Sequence, residues 1–241
     1  MNNQADSAQV NTSTPRHIAV IMDGNGRWAI RKGNQRSDGH RAGSEAVRNL
    51  VSGALDFKIP YITIYAFSTE NWSRPKKEVD FLFRLLSQFI DKELTELKKT
   101  GVRVRFIGRR DRISKFLVAQ MESMELETCE NTKLSLTLAI DYGGRDEIHR
   151  AIERMQKAQQ TSKTSWSPAD LHQFLDAPEL PDPDLVIRTS GEIRLSNFLI
   201  YQAAYAELWF TEELWPDFTK ETLSRAILDY QKRHRRFGKI K

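Results

Sequence analysis

The 241-residue chain carries 37 Lys and Arg against 32 Asp and Glu, a formal charge of +5, with 39% apolar and 29% charged residues. That mixture excludes a fibrous or wholly disordered chain and supports one sizeable core; the charge points to acidic ligands or an anionic surface, without choosing among nucleic acid, phosphates and lipid headgroups. One cysteine, Cys129, excludes an intramolecular disulfide framework and fits a reducing compartment, and no apolar run reaches the about 18 residues of a membrane span.

Met1–Pro15 is polar, lacks the apolar centre of a signal peptide, and reads as a disordered tail ahead of a single domain over 16–241. Ile18–Met22 is a short apolar run that reads as a buried strand, ending abruptly in Asp23-Gly24-Asn25-Gly26-Arg27. A basic, glycine-bearing segment, Arg31–Gly43, holds Arg36 and His40, and Ser44–Phe57 then shows helical spacing. Tyr61–Phe67 reads as a second strand, closed by Ser68-Thr69-Glu70-Asn71-Trp72-Ser73-Arg74-Pro75. Val79–Lys99 carries a broad apolar helical stripe that Gly101 stops.

Val102–Ile107 alternates apolar and basic residues as a strand, Asp111–Glu127 is a helix, and Leu134–Ile140 a fourth strand. Asp141-Tyr142-Gly143-Gly144-Arg145 follows it, then a helix to about Gln156 and a polar loop at Thr161–Ser165. Ser167-Pro168-Ala169-Asp170 is a helix start with Pro at its first position. After a proline-rich connector, Leu185–Thr189 and Glu207–Phe210 are the last strands, and Thr219–Phe237 is a final helix with strongly basic last turns. Strands alternating with helices predict an α/β fold with a mostly parallel six-stranded sheet.

The strand exits share a pattern. Asp23, Ser68 with Asn71 and Arg74, Asp141 with its glycines, Arg188 and Glu207 are all expected at or just after strand C-termini. Ligands of open parallel sheets bind at that end. Alone, the D-G-N-G stretch reads equally as a strand-to-helix turn or an anion cradle; the shared pattern favours a site. Asp23 and Glu207 are hard oxygen ligands that could share a divalent cation. Arg27, Arg36, Arg74, Arg188 and Arg194 suit phosphate oxygens, and Gly24, Asn25, Gly26 and Ser196 would complete the hydrogen bonding. His40 could polarise a phosphate, move a proton, or simply be a hydrogen-bonded histidine. Phe67 and Trp72 would cover an apolar ligand or pack the core. A P-loop, a Rossmann fingerprint, a nucleophile elbow and a D-D-x-x-D magnesium motif are all absent from the sequence.

HIAVIMDGNGRW, YAFSTENWSRPKKEV, DYGGR and DLVIRTSGEIRLSNFLIYQAAYAELWF stand in this order over roughly His17 to Gly238. Together they resemble the cis-prenyltransferases, most closely bacterial undecaprenyl diphosphate synthases. The resemblance implies an apolar tunnel between sheet and helices and a Mg²⁺-dependent reaction. Isopentenyl diphosphate adds repeatedly to farnesyl diphosphate with new Z double bonds, giving a long polyprenyl diphosphate that serves as a lipid carrier for cell-wall synthesis. It assigns Gly24, Asn25, Gly26, Arg27, Arg36, His40 and Arg74 to the allylic diphosphate, with Trp28, Ser68, Glu70 and Trp72 as further substrate contacts. Arg188, Arg194 and Ser196 go to isopentenyl diphosphate. Asp23 and Asn71 are the implied catalytic residues, Asp23 and Glu207 the implied metal ligands, and Asn71 and Trp72 match a loop that closes on substrate.

Arg236-Phe237-Gly238 resembles a terminal R-x-G that reaches the partner subunit, which implies a homodimer. A cytoplasmic enzyme with transient contact at the inner membrane face, and no nucleic-acid partner, completes the expectation. The family usually has Asn at position 141, Gly at 190 and often Trp at 201, where this chain has Asp, Ser and Tyr; none of these removes a phosphate or metal ligand. The competing readings are a synthase stopping at short, medium or branched products, a non-catalytic partner subunit, and a nucleic-acid-binding module. Asp23 and the phosphate arginines are present, which argues against the second, and salt-sensitive binding indifferent to Asp23 would mark the third.

Overall fold

Every residue of β1 (His17–Ile21) is buried, as a strand covered on both faces must be, and β1 accordingly lies inside the sheet. The computed structural model describes residues 14–158 and 167–233. Its six strands run in the order β3-β4-β2-β1-β5-β6: β2 (Tyr61–Ser68), β3 (Val102–Ile107), β4 (Leu134–Tyr142), β5 (Leu185–Arg188) and β6 (Glu207–Phe210) join β1, and every neighbouring pair is parallel. Alternate residues of β1 divide the core. Ile18 and Val20 face the large cluster that includes residues of α2 (Arg36–Asp56), α3 (Lys76–Thr100), α4 (Lys115–Glu127) and α7 (Lys220–Gln231). Ala19 and Ile21 face a smaller one with Tyr142, Phe198 and Leu199.

The strands predicted from sequence all form, within two residues at either end. The helices differ more. α2 begins at Arg36 rather than Ser44, and a short α1 (Asn25–Arg31) precedes it. Gly39 and Gly43 do not interrupt α2; they let it lie against its neighbours. A Cβ on Gly39 would stand 1.9 Å from the Asn25 carbonyl oxygen, and one on Gly43 would stand 2.3 Å from Asn25 Oδ1 and 2.9 Å from the Trp215 ring. Gly39→Ala is therefore expected to force α1 off α2 at the cost of about 2–3 kcal/mol, read as a lower urea midpoint with an unchanged m-value.

The predicted helix from Asp111 starts at Lys115, where the Ser114 hydroxyl accepts from Leu117 N–H. α5 (Gly144–Ala158) follows β4, and α6 (Pro168–His172) starts with Pro168 at its first position as expected, its N-terminus closed by a Ser167–Asp170 capping box. The loop 161–165, most of the tail and Arg236-Phe237-Gly238 lie outside the described residues.

Candidate active site

The chain leaves β1 toward β2 on one side and leaves β5 toward β6 on the other. Right-handed crossovers in opposite directions fall on opposite faces, so a crevice opens between the C-terminal ends of β1 and β5. Ile21 is level with Arg188, and Asp23 stands just beyond. A cavity of about 720 Å³ occupies this crevice; five arginines (Arg27, Arg36, Arg74, Arg145, Arg188) line it against two carboxylates (Asp23, Glu70).

Arg188 is buried, and its guanidinium donates to Asp23 Oδ2 at 2.9 Å, Ser196 Oγ at 2.7 Å and the Arg194 carbonyl at 2.6 Å. Arg27 lies 3.3 Å from the other Asp23 oxygen and donates to the Ser190 hydroxyl at 2.5 Å. Thr189 Oγ accepts from Asp23 N–H and donates to the Asp23 carbonyl, which holds the backbone at the strand exit. Burial opposes ionisation of Asp23, but Arg188, Arg27 and Ser190 outweigh it and keep the carboxyl below its usual range. It is an anion near neutrality, with fixed direction.

Gly24 turns the chain into α1 with φ 109°, and a Cβ there would meet Leu214 at 2.9 Å. The first turn of α1, whose N–H groups lack intrahelical acceptors, lines the cavity through Asn25, Gly26 and Arg27. A Cβ on Gly26 would fall 2.8 Å from the Arg36 guanidinium carbon, so glycine is what allows Arg36 to lie over this turn. Glu78, on the first turn of α3, gathers three cationic or titratable groups: Arg74 at 3.1 Å, Arg36 at 3.5 Å and His40 at 3.7 Å. Its place four residues after Arg74 is visible in the sequence, yet Glu78, like Arg145, Thr189 and Asn197, is not among the expected site residues.

Burial, reinforced by Arg74 and Arg36 and opposed by Glu78, lowers His40 to about 4, so the ring is neutral near pH 7. His17, at the other end of β1, is also lowered to about 4, by burial, with opposing contributions from the Pro181 carbonyl and Asp184. The Pro181 carbonyl can only accept, so Nδ1 of His17 donates to it at 2.6 Å and Nε2 faces Thr63 Oγ at 2.8 Å. In both cases the unfolded chain binds the proton more readily. Their contribution is therefore intact above about pH 6.5 and is lost as pH falls toward about 4. A loss on the order of 3 kcal/mol from His17 alone is expected over that window, measured as urea midpoints at a series of pH values; a flat profile would contradict it.

Ser68, Glu70 and Asn71 reach the cavity from the end of β2 and the 3₁₀ turn Thr69–Ser73. Asn71 Oδ1 accepts from Ser68 N–H, and Glu70 accepts from Asn197 Nδ2 at 2.9 Å. Several expected residues are placed elsewhere. Trp28 is not among the residues lining the cavity; its N–H donates to Asp217, and Lys32 covers its ring. Trp72 packs on Phe67 and Phe83, and the exposed Arg194 side chain pairs with Glu192, whose other oxygen lies 3.4 Å from Arg27. Asp141 is the penultimate residue of β4, at the strand exit as expected, but it is fully buried and is not among the residues lining the cavity.

Glu207 is the clearest correction. It begins β6 level with Leu185, at the opposite end of the sheet from Asp23, and pairs with Arg233 at 3.1 Å. The sequence shows where a short strand lies but not which of its ends meets the site.

Asp23 and Glu207 therefore cannot share a cation within one chain, and no group of three His, Cys, Asp or Glu able to hold a metal occurs among the described residues. Mg²⁺ is, however, commonly held by one or two carboxylates together with substrate phosphates. One ionised carboxylate among arginines fits that mode. The buried polar atoms of cavity residues that have no hydrogen-bond partner among the described residues include Asn25 Oδ1 and His40 Nε2. Buried groups left so ask for a ligand. Both also line a second, mostly apolar pocket of about 110 Å³ between the sheet and α2 and α3. Polar basin and apolar pocket share Met22, Asn25, His40, Ala66 and Leu82, so a ligand with an anionic head and a hydrocarbon tail fits across the junction.

A family model described as putative undecaprenyl diphosphate synthase matches residues 21–238. The chain belongs to this prenyltransferase family. An isoprenyl transferase of Aquifex aeolicus is 47% identical over 94% of this chain and 96% of its own length, and that of Thermotoga maritima is 48% identical over 93% and 97%. Among solved structures, lavandulyl diphosphate synthase from Lavandula x intermedia, in complex with dimethylallyl diphosphate, superposes with a TM-score of 0.90 at 33% identity. It covers 94% of this chain and 99% of its own. A probable undecaprenyl diphosphate synthase from Campylobacter jejuni gives 0.79 at 36% identity, covering 94% and 100%. The prenyltransferase fold accounts for the single α/β domain, and the matched span takes in the whole cavity. No helix among the described residues is long and apolar enough to cross a membrane.

Proposed function

We propose that this prenyltransferase condenses isopentenyl diphosphate units onto farnesyl diphosphate to give a long Z-polyprenyl diphosphate of the undecaprenyl type, with Mg²⁺ as cofactor. The observation that carries the reading is the arginine-lined basin opening, past Asn25 and His40, into an apolar pocket. Arg27, Arg36 and Arg74 hold the allylic diphosphate, with the first turn of α1, and Arg188 with Ser196 receives the diphosphate of isopentenyl diphosphate. Mg²⁺, bound by Asp23 and phosphate oxygens, would neutralise charge on the leaving diphosphate.

As the C1–O bond of the allylic substrate breaks, negative charge moves onto the diphosphate, and fixed arginines stabilise it more than the ground state. The double bond of isopentenyl diphosphate supplies the electron pair for the new C–C bond, and a proton leaves C2 for an oxygen of the departing diphosphate. Neutral His40 donates one hydrogen bond without adding charge near the allylic cation. The apolar walls, Phe67, Phe83, Leu86 and Phe89 among them, keep water from that cation and take up the growing chain.

A homodimer is part of the proposal. β6 is an edge strand, and Leu208 and neighbouring Tyr205 expose apolar surface there; unpaired edges invite pairing or cover. Brief contact with a membrane surface would let the product leave. A second reading, a short or branched product, is favoured by the small volume of the apolar pocket and by the likeness to lavandulyl diphosphate synthase.

Incubation with farnesyl diphosphate, isopentenyl diphosphate and Mg²⁺, read by product mass, separates the two. A ladder ending near eleven isoprene units supports the first reading, and one ending after one or a few additions supports the second. No condensation by the folded protein would defeat both.

A further inference from the structure

Asp141 is fully buried, lies outside the cavity, and adopts φ 49°, in the left-handed region. Its carboxylate serves two partners. Oδ1 accepts from the Trp72 indole N–H at 2.8 Å, and Oδ2 accepts from Arg112 Nε at 2.8 Å. A second Arg112 N–H also donates to Oδ1, and the guanidinium stands 5.5 Å from the Trp72 ring centroid. Trp72 rests on Phe67 and Phe83, with ring centroids 5.4 and 5.3 Å away, and both phenylalanines wall the apolar pocket. On the chain, Trp72 follows Glu70 and Asn71, which line the polar basin.

We infer that Asp141 and Arg112 are a positioning pair that holds Trp72, and through it the Thr69–Ser73 turn, in the arrangement that receives the allylic diphosphate. The inference rests on the substrate reading above. The turn is otherwise tied across the cavity by the Glu70–Asn197 hydrogen bond, which is exposed; the Trp72–Asp141 bond is the sheltered one. A buried carboxylate needs a charged partner, and Arg112 supplies it. Because one carboxylate serves both Arg112 and Trp72, the indole cannot swing away without disturbing the ion pair. Arg112 is itself 40% exposed, so it can be removed without opening a cavity in the core.

If the pair preorganises the turn, loosening it lowers the fraction of enzyme competent to bind. Apparent affinity then falls by that fraction while turnover at saturation is retained. A pair that merely stabilised the fold would instead reduce the amount of active enzyme and leave KM unchanged.

The test uses the full chain with Arg112→Ala, Trp72→Phe, and Arg112→Ala combined with Asp141→Asn. Arg112→Ala leaves the carboxylate buried and unpaired; Asp141→Asn removes that charge while its Oδ1 still accepts from Trp72. Amide exchange over residues 69–74 is expected to speed up about tenfold in Arg112→Ala and in Trp72→Phe. KM for farnesyl diphosphate should rise about fivefold or more in both, with kcat of Arg112→Ala within about twofold of the parent. The combined variant should bring exchange and KM most of the way back.

Unchanged exchange and KM in the single variants, or no recovery in the combined one, would overturn the inference. Trp72→Phe keeps the ring packing and decides the matter if Arg112→Ala does not fold. The expected exchange changes in the variants, together with a parent that does not turn over farnesyl diphosphate, would uphold the positioning pair and strike the substrate reading alone.

Discussion

Asp23→Asn is expected to lower kcat for condensation by about 10³-fold, on the scale of losing a group that stabilises transition-state charge, while leaving the fold intact. The amide can still accept from Arg188, which now donates to Asp23 Oδ2 at 2.9 Å, so the local geometry has a reason to survive. What disappears is the negative charge held between Arg188 and Arg27. Of the two carboxylates lining the basin, Glu70 accepts from Asn197 and comes from a different loop, so it offers no replacement at the β1 exit. The measurement is single-turnover condensation at saturating substrates, alongside the thermal midpoint of the same preparation. Retained turnover in a folded Asp23→Asn protein would remove Asp23 from the chemistry.

Arg188→Lys should lower kcat/KM by about 100-fold, chiefly through KM for isopentenyl diphosphate, and should destabilise the fold by about 2–4 kcal/mol. The guanidinium satisfies Asp23, Ser196 and the Arg194 carbonyl from a buried position. An ammonium is a point charge on a flexible stem and cannot span these three acceptors in one plane. Asp23 also loses the partner that keeps its carboxyl low, so the acid limb of the pH–rate profile should move upward. Initial-rate kinetics with each substrate varied in turn would distinguish the two diphosphate positions. An equal rise in both KM values would mean that Arg188 acts only through Asp23.

The strands were legible because their signal is local. Ile18–Ile21, Tyr61–Phe67 and Val102–Ile107 are short runs of the right composition between polar breaks, and the sheet uses them nearly as read. The start of α2 was not legible. Gly39 and Gly43 look like breakers in a one-dimensional reading, but they are the surfaces on which Asn25 and Trp215 pack. Their meaning depends on what arrives from elsewhere in the chain. Trp28 and Trp72 illustrate the same limit: an aromatic next to a site motif can face the site or the core, and here they face Asp217 and Asp141.

By itself the sequence determined the alternating α/β order, the lone reactive-looking carboxylate at the first strand exit, and the surplus of arginines near it. Those are properties of composition and spacing along the backbone. Only the tertiary structure decided that Asp23 and Arg188 meet while Glu207 stands at the far end of the sheet. Contact between residues so distant in the chain is set by strand order and register, with Ile21 level with Arg188 and Leu185 level with Glu207. Register is fixed by how whole faces pack, and no short stretch of sequence carries that information.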